Sequence, residues 1–288
     1  MKERNFYKYI TPLLLMLILF YLFPIVEVFR YSLTDIRLDK EIYSYGISAY
    51  QYVLSNPNFW EMLKITIIFV FASMFLQLFF GLIIATLIDE GERRNLKGTL
   101  VVRLIVLMAW VIPGVIIGVI WNLFLSEANY GILNYFIQLL FNTKISFLSS
   151  QDLALYSVII ANVWRGTAFS MIILYGGLKQ ISEELYEAAS IDGASTLDKF
   201  FKITIPQLKP VIFINMVLIT IYTFNTFDMI MALTGGGPGR STEVISLNIY
   251  NTVFGHLELG RGSVLAVILF FINLSITLFY YNFVISEE

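Results

Sequence analysis

Two groups of side chains have types and spacings suited to binding. In one apolar run Asn162, Arg165, Gly166 and Phe169 fall at i, i+3, i+4 and i+7, a single helical stripe. In the next run Tyr222, Asn225 and Asp228 share a stripe, with Thr223 and Thr226 beside it. Amide, hydroxyl, guanidinium and carboxylate groups can hydrogen-bond a hydroxyl-rich solute, and the rings of Phe169 and Tyr222 offer it apolar faces. The same groups are costly toward lipid. They therefore line a pathway or bond across to a neighbouring helix, and Arg165 could pair with Asp228 simply to neutralise two charges. Trp164 is adjacent to the first stripe but points elsewhere.

A third cluster is polar throughout: "EAASIDGASTLDKFFKITIP", residues 187–206. Ser182 can cap a helix whose first turn holds Glu183 and Glu184. Leu185, Ala188, Ala189 and Asp192 lie at helical spacing, and the two alanines make a shallow face for close approach. Gly193 can take the positive φ that turns the chain. Ser195 or Thr196 can cap a second short helix through about Lys202, and Pro206 and Pro210 are expected to delay the next apolar helix. The spacing alone fits equally an amphipathic connector on a membrane surface.

These clusters must be held by apolar elements. Of 288 residues 14% are charged, against about 25% in ordinary soluble domains, and mean hydropathy is +0.76. Runs long enough to cross a bilayer, about 20 residues each, occur near 9–29, 65–88, 100–125, 153–178, 211–233 and 263–284. The expectation is an all-α membrane protein of six spans forming a single domain over 1–288. A transmembrane barrel would need short alternating segments. Pro113 and Gly114 mark a kink inside the third run.

The first run has the basic lead of a secretory signal, but it continues past Phe23 with no small-residue cleavage site, so it reads as a retained helix. Cysteine is absent, which excludes a disulfide frame, thiolate metal sites and a cysteine nucleophile. His256 has no acidic neighbour at ligand spacing, so no metal site is expected. A net charge of −2 argues against a nucleic-acid partner.

Lys and Arg mark cytoplasmic segments. Lys2, Arg4, Lys8, Arg93, Arg94, Lys97, Lys179, Lys199, Lys202 and Lys209 all fall in 1–8, 89–99 and 179–210. The alternate segments, 30–64, 126–152 and 234–262, are longer in total and carry fewer. Both termini and the loop 179–210 are thereby placed in the cytoplasm; the acidic Glu287 and Glu288 weigh little.

The order Glu187, Ala188, Ala189, then Gly193, then Ile203, Ile205 and Pro206 resembles the EAA signature of ABC importer permeases, EAA-x3-G-x9-I-x-L-P. Its one departure, Ile205 for Leu, conserves volume. The resemblance implies a type I importer permease fold whose loop 179–210 forms coupling helices that fit a cleft on a separate ATPase subunit. Glu187 would supply the polar contact and Gly193 the turn, with Asp192 between them. ATP and Mg would be bound by that partner, because this chain has no phosphate loop. Gly235-Gly236-Gly237-Pro238-Gly239-Arg240-Ser241 lacks the Lys and the spacing.

That glycine run closes "FNTFDMIMALTGGGPGRST", 224–242, which is similar to the end of the corresponding helix in carbohydrate-uptake permeases of the maltose and glycerol-3-phosphate type. Taken alone it reads as a flexible exit turn. The resemblance implies a prokaryotic cytoplasmic-membrane subunit that is not itself an enzyme. Its partners would be a second permease, two ATPase subunits and an extracytoplasmic solute-binding protein, with Gly235, Gly236, Gly237 and Pro238 as docking candidates. It also implies mid-membrane substrate contacts at Asn162, Gly166, Phe169, Thr223 and Thr226. The competing expectations are an ion-gradient-driven transporter, for which Asp228 is the main intramembrane carboxylate, and a structural or sensory subunit in which the polar stripes only pack.

Overall fold

The computed structural model describes the backbone of residues 2–285 and the side chains of 10–282. Glu287, Glu288 and the side chains of Lys2, Arg4 and Lys8 lie outside the described residues. The helices in chain order are α1 (Lys2–Leu17), α2 (Phe23–Ser32), α3 (Ser48–Ser55), α4 (Pro57–Arg93), α5 (Thr99–Val111), α6 (Gly114–Leu125) and α7 (Ile132–Phe141). They continue as α8 (Gln151–Leu178), α9 (Glu183–Ile191), α10 (Thr196–Lys199), α11 (Ile205–Phe224), α12 (Asp228–Leu233), α13 (Ile245–Tyr250) and α14 (Leu259–Ile285). Among the described residues five helical stretches are long and apolar enough to cross a membrane, and six if α5 and α6 count as one broken span.

The chain divides into two compact units, 1–61 with 248–272, and 62–247 with 273–288. In the first, a π-helical turn at Ile18–Leu22 joins α1 to α2. The apolar side chains from Leu13 to Phe23 are all exposed, as expected of a surface solvated by lipid. The loop after α2 is tied to the start of α14 by ion pairs. Arg37 binds Glu258 at 2.8 Å and Asp39 at 2.9 Å, while Arg261 binds Glu258 at 2.8 Å and lies 3.5 Å from the centre of the Tyr52 ring.

The second unit holds all three clusters. Its core joins Ala85 and Ile88 of α4, Met171, Leu174 and Leu178 of α8, Ile181, and Leu208 of α11. The third apolar run differs from a kinked helix: α5 and α6 meet at 100°. Pro113 removes a backbone donor and forces Ile112 into an extended conformation (φ −67°, ψ 129°), so the helix stops rather than bends.

The fifth run, expected at 211–233, also divides. Asn225 Nδ2 donates to the Ile221 carbonyl at 2.8 Å and Thr226 Oγ1 to that of Tyr222 at 3.0 Å. These side chains compete with the backbone ladder, α11 ends at Phe224, and Asp228 opens a separate helix. Asn225 and Asp228 therefore do not share a helical stripe. At its other end this span is longer than expected. Pro206 and Pro210 do not delay it, because a π-helical turn at Phe200–Thr204 joins α10 to α11 and places Pro206 in the first turn of α11, giving one helical stretch from Thr196 to Phe224.

α6 and α12 pack backbone to backbone across Gly118. A Cβ there would lie 2.5 Å from the Met229 carbonyl oxygen and 2.7 Å from Ala232 Cβ. Gly118→Val is therefore expected to destabilise the solubilised protein by about 1–3 kcal/mol, read as a fall in melting temperature. Gly176→Ala, whose Cβ would meet nothing within 4 Å, should leave the melt unchanged or raise it.

Candidate functional site: a polar and aromatic cavity and an exposed hairpin

A cavity of about 370 Å³ lies between α8 and α11. Its walls contain every residue of the two polar stripes: Asn162, Arg165, Gly166 and Phe169 from α8, Tyr222 and Thr223 from α11, Asn225 and Thr226 from the break, and Asp228 from α12. The break in the fifth run swings Asp228 toward the cavity by a route that simple helical periodicity does not describe. Gln77, Trp110 and Ile219 complete the lining and were not singled out in the sequence. Gln77 had a signal, being a lone amide inside an apolar run. Trp110 lies two residues ahead of the Ile112–Pro113 break.

The cavity is both polar and aromatic. The rings of Trp110 and Phe169 are 5.6 Å apart and tilted by 36°, and those of Phe169 and Tyr222 are 5.3 Å apart and nearly perpendicular. Gln77 Nε2 donates to the Asn162 carbonyl at 3.3 Å, an approach permitted because Gly166 has no Cβ to strike the Gln77 amide. Asn162 Nδ2 is buried without a partner among the described residues. Arg165 and Asp228 approach to 4.0 Å, an attractive distance longer than a hydrogen bond. Both line the cavity. The Asp228 carboxylate also rests against Gly114 at the amino end of α6, where a Cβ would overlap it and where the helix dipole favours an anion.

The segment 187–206 forms a projecting hairpin. Gly193 has φ +76°, as its role in a turn requires. Ser195 and Asp198 form a reciprocal capping box at α10, whereas Ser182 occupies the cap position of α9 without a side-chain bond to it. Lys199 Nζ donates to Ser190 Oγ at 2.6 Å and holds the two short helices together. Glu187, Ala188, Asp192 and Gly193 are exposed, Ala189 is half-buried, and Ile191 is 87% exposed at the tip. Ile203 and Ile205 are half-buried, Ile203 against the core, and Pro206 is exposed.

The glycine segment is held by internal bonds. Thr234 and Thr242 hydroxyls meet at 2.7 Å, Thr242 Oγ1 donates to the Gly237 carbonyl at 2.9 Å, and the Gly236 N–H donates to Thr234 Oγ1 at 3.3 Å. Gly235 is exposed, Gly236 buried, and Gly237 and Pro238 half-buried. Among the described residues no group of His, Asp and Glu is placed to hold a metal ion.

Five or six candidate spans among the described residues, a cavity lined by polar and aromatic side chains and an exposed hairpin together have the build of a transport permease. Residues 77–285 match the family model "binding-protein-dependent transport system inner membrane component", and the chain belongs to that family of multi-pass inner-membrane proteins. It is 37% identical over 275 residues, 95% of this chain and 91% of the relative, to the trehalose/maltose transport system permease protein MalF of Thermococcus litoralis. It is 29% identical to the sn-glycerol-3-phosphate transport system permease protein UgpA of Agrobacterium fabrum, covering 96% of this chain and 94% of that one. The fold matches a chain of a bacterial ABC transporter involved in import of the acidic polysaccharide alginate, with a TM-score of 0.82, 20% identity, and coverage of 98% of this chain and 95% of that one. The type I importer permease fold expected from the EAA signature is the fold found.

Proposed function

We propose that this chain is the membrane-spanning subunit of an ATP-driven, binding-protein-dependent importer, and that its cargo is a sugar, an oligosaccharide or a polyol phosphate. The observation that supports the cargo class is the cavity, in which hydrogen-bonding groups alternate with the rings of Trp110, Phe169 and Tyr222. Hydroxyls need the former, and the apolar faces of a pyranose ring stack on the latter.

In this reading both termini and the hairpin are cytoplasmic. Two ATPase subunits bind ATP and Mg, one of them receiving α9 and the Gly193 turn. A second, different permease completes the pathway, and a solute-binding protein docks outside near Gly235–Pro238. Transport follows by alternating access: ATP and the loaded binding protein together favour the outward-facing state, and hydrolysis returns the cavity to the cytoplasm. ATP chemistry resides in the partner.

Uptake of trehalose or maltose into vesicles holding the complete assembly tests this. Uptake is expected to require ATP and the binding protein. Uptake that persists without ATP under an ion gradient would favour the gradient-driven alternative instead.

A further inference from the structure

The hairpin is fastened to the membrane helices through a residue outside the EAA signature. Tyr186, on α9, is half-buried and packs against the cluster of Ile88, Leu178 and Leu208. Its ring centre lies 4.4 Å from the Arg93 guanidinium at the end of α4. Its hydroxyl meets Thr204 Oγ1 at 2.9 Å, and Thr204 is buried in the π-helical turn that leads into α11. One side chain thus touches three elements.

Arg93 is in turn anchored. Its Nε donates to Asp89 Oδ2 at 2.8 Å, and Lys179, just beyond α8, pairs with Asp89 at 2.8 Å and Glu92 at 3.0 Å. Tyr175 donates to Glu92 at 2.5 Å and accepts from Arg103 of α5 at 2.9 Å. Ion pairs and hydrogen bonds thus tie the ends of α4, α5 and α8 to one another. Beside them lies a cleft of about 530 Å³ whose wall includes Leu87, Arg94, Tyr186, Leu197 and Phe200. The cleft leaves the hairpin room to move relative to α4 wherever Tyr186 does not bridge the two.

We propose that Tyr186 is the positioning residue that makes α9, α4 and α11 move as one body, so that displacement of the exposed hairpin tip reaches the cavity lined by Gln77 of α4 and Tyr222 of α11. The inference rests on the coupling role proposed above for the hairpin. The hydroxyl pair supplies direction, because a hydrogen bond weakens steeply when its angle changes. The ring over Arg93 supplies contact area. Without the bridge the hairpin can follow the ATPase while α11 stays behind.

The test uses the full assembly in vesicles, with Tyr186→Phe, Thr204→Val and Thr204→Ser, reading ATPase retention, ATP hydrolysis and sugar moved per ATP. Tyr186→Phe and Thr204→Val are expected to keep the ATPase bound and hydrolysing while sugar moved per ATP falls about fivefold. The double variant should fall no further than either single one, and Thr204→Ser, which keeps the hydroxyl, should restore coupling. Unchanged sugar per ATP in both single variants, with ATPase retained, overturns the role of Tyr186. Absence of any ATPase on the unaltered chain overturns the coupling reading itself.

The cysteine-free sequence gives a second measurement, with spin labels at Ile191→Cys on the hairpin tip and Ile214→Cys on an exposed position of α11. Their distance distribution should be narrow in the parent and in Thr204→Ser, and broad in Tyr186→Phe. Equally narrow distributions in all three overturn the proposal without recourse to transport.

Discussion

Gly193→Val should lower ATP-driven uptake by about 5- to 30-fold, and lower by a similar factor the ATPase that remains with the chain on purification. The backbone of Gly193 stands at φ +76°. An L-residue held in the left-handed region costs about 1–2 kcal/mol, and a β-branched one fits worst. A Cβ at this position would meet nothing within 4 Å, so the effect is confined to backbone conformation and no neighbour is displaced. The turn it breaks is specific. The Gly193 N–H donates to the Ser190 carbonyl at 3.1 Å and that of Ala194 to Ala189 at 2.9 Å, and without them α10 loses its register against α9. Because the hairpin is exposed, no buried core re-imposes the turn. Gly193→Asn is the matched control, since Asn tolerates this conformation, and it should retain most uptake. Glu187→Lys probes a different property, the sign of charge on an exposed face whose backbone is unchanged, and should also release the ATPase. Equal ATPase retention in the parent, Gly193→Val and Glu187→Lys would reduce 187–206 to a surface connector.

What the sequence revealed and what it concealed have separate physical causes. The hairpin was legible because its features are local: a positive-φ glycine, a capping hydroxyl at Ser195 or Thr196, and alanines at helical spacing all lie within a few residues of what they determine. The apolar runs were legible because crossing hydrocarbon imposes a length. Their breaks were not. Pro113 announces an interruption, but α6 leaves α5 at 100° and packs on α12 across Gly118, and nothing near Pro113 encodes that partner. The division of the fifth run had a weak local signal in adjacent Asn225 and Thr226, whose side chains take the carbonyls of Ile221 and Tyr222. Periodicity alone reads straight through them. Gln77 and Trp110 reach the cavity from helices far away in sequence, and the bridge from Arg93 through Tyr186 to Thr204 joins three segments whose pairing no spacing rule supplies.

Removing one charge from the cavity should do more harm than removing two. Arg165 and Asp228 stand 4.0 Å apart, with 27% and 36% of their side chains accessible. A lone charge near the middle of a membrane helix costs about 2.5–3.5 kcal/mol on insertion scales. The open cavity reduces that penalty here, so about 1–2 kcal/mol, roughly a tenfold loss of assembled protein, is expected for a single variant. The two single variants should not be equal. Without Arg165, Asp228 still rests at the amino end of α6 against Gly114, where the helix dipole partly compensates a carboxylate. Without Asp228, Arg165 has no counter-charge among its described contacts. Asp228→Asn should therefore assemble worse than Arg165→Met, and the double variant should recover toward the parent in yield and melting temperature. Transport separates packing from recognition. If the pair only balances charge, the double variant regains uptake with assembly; if either group also holds cargo, assembly returns and uptake does not. A double variant that assembles no better than Asp228→Asn alone would show that the two charges do not compensate each other.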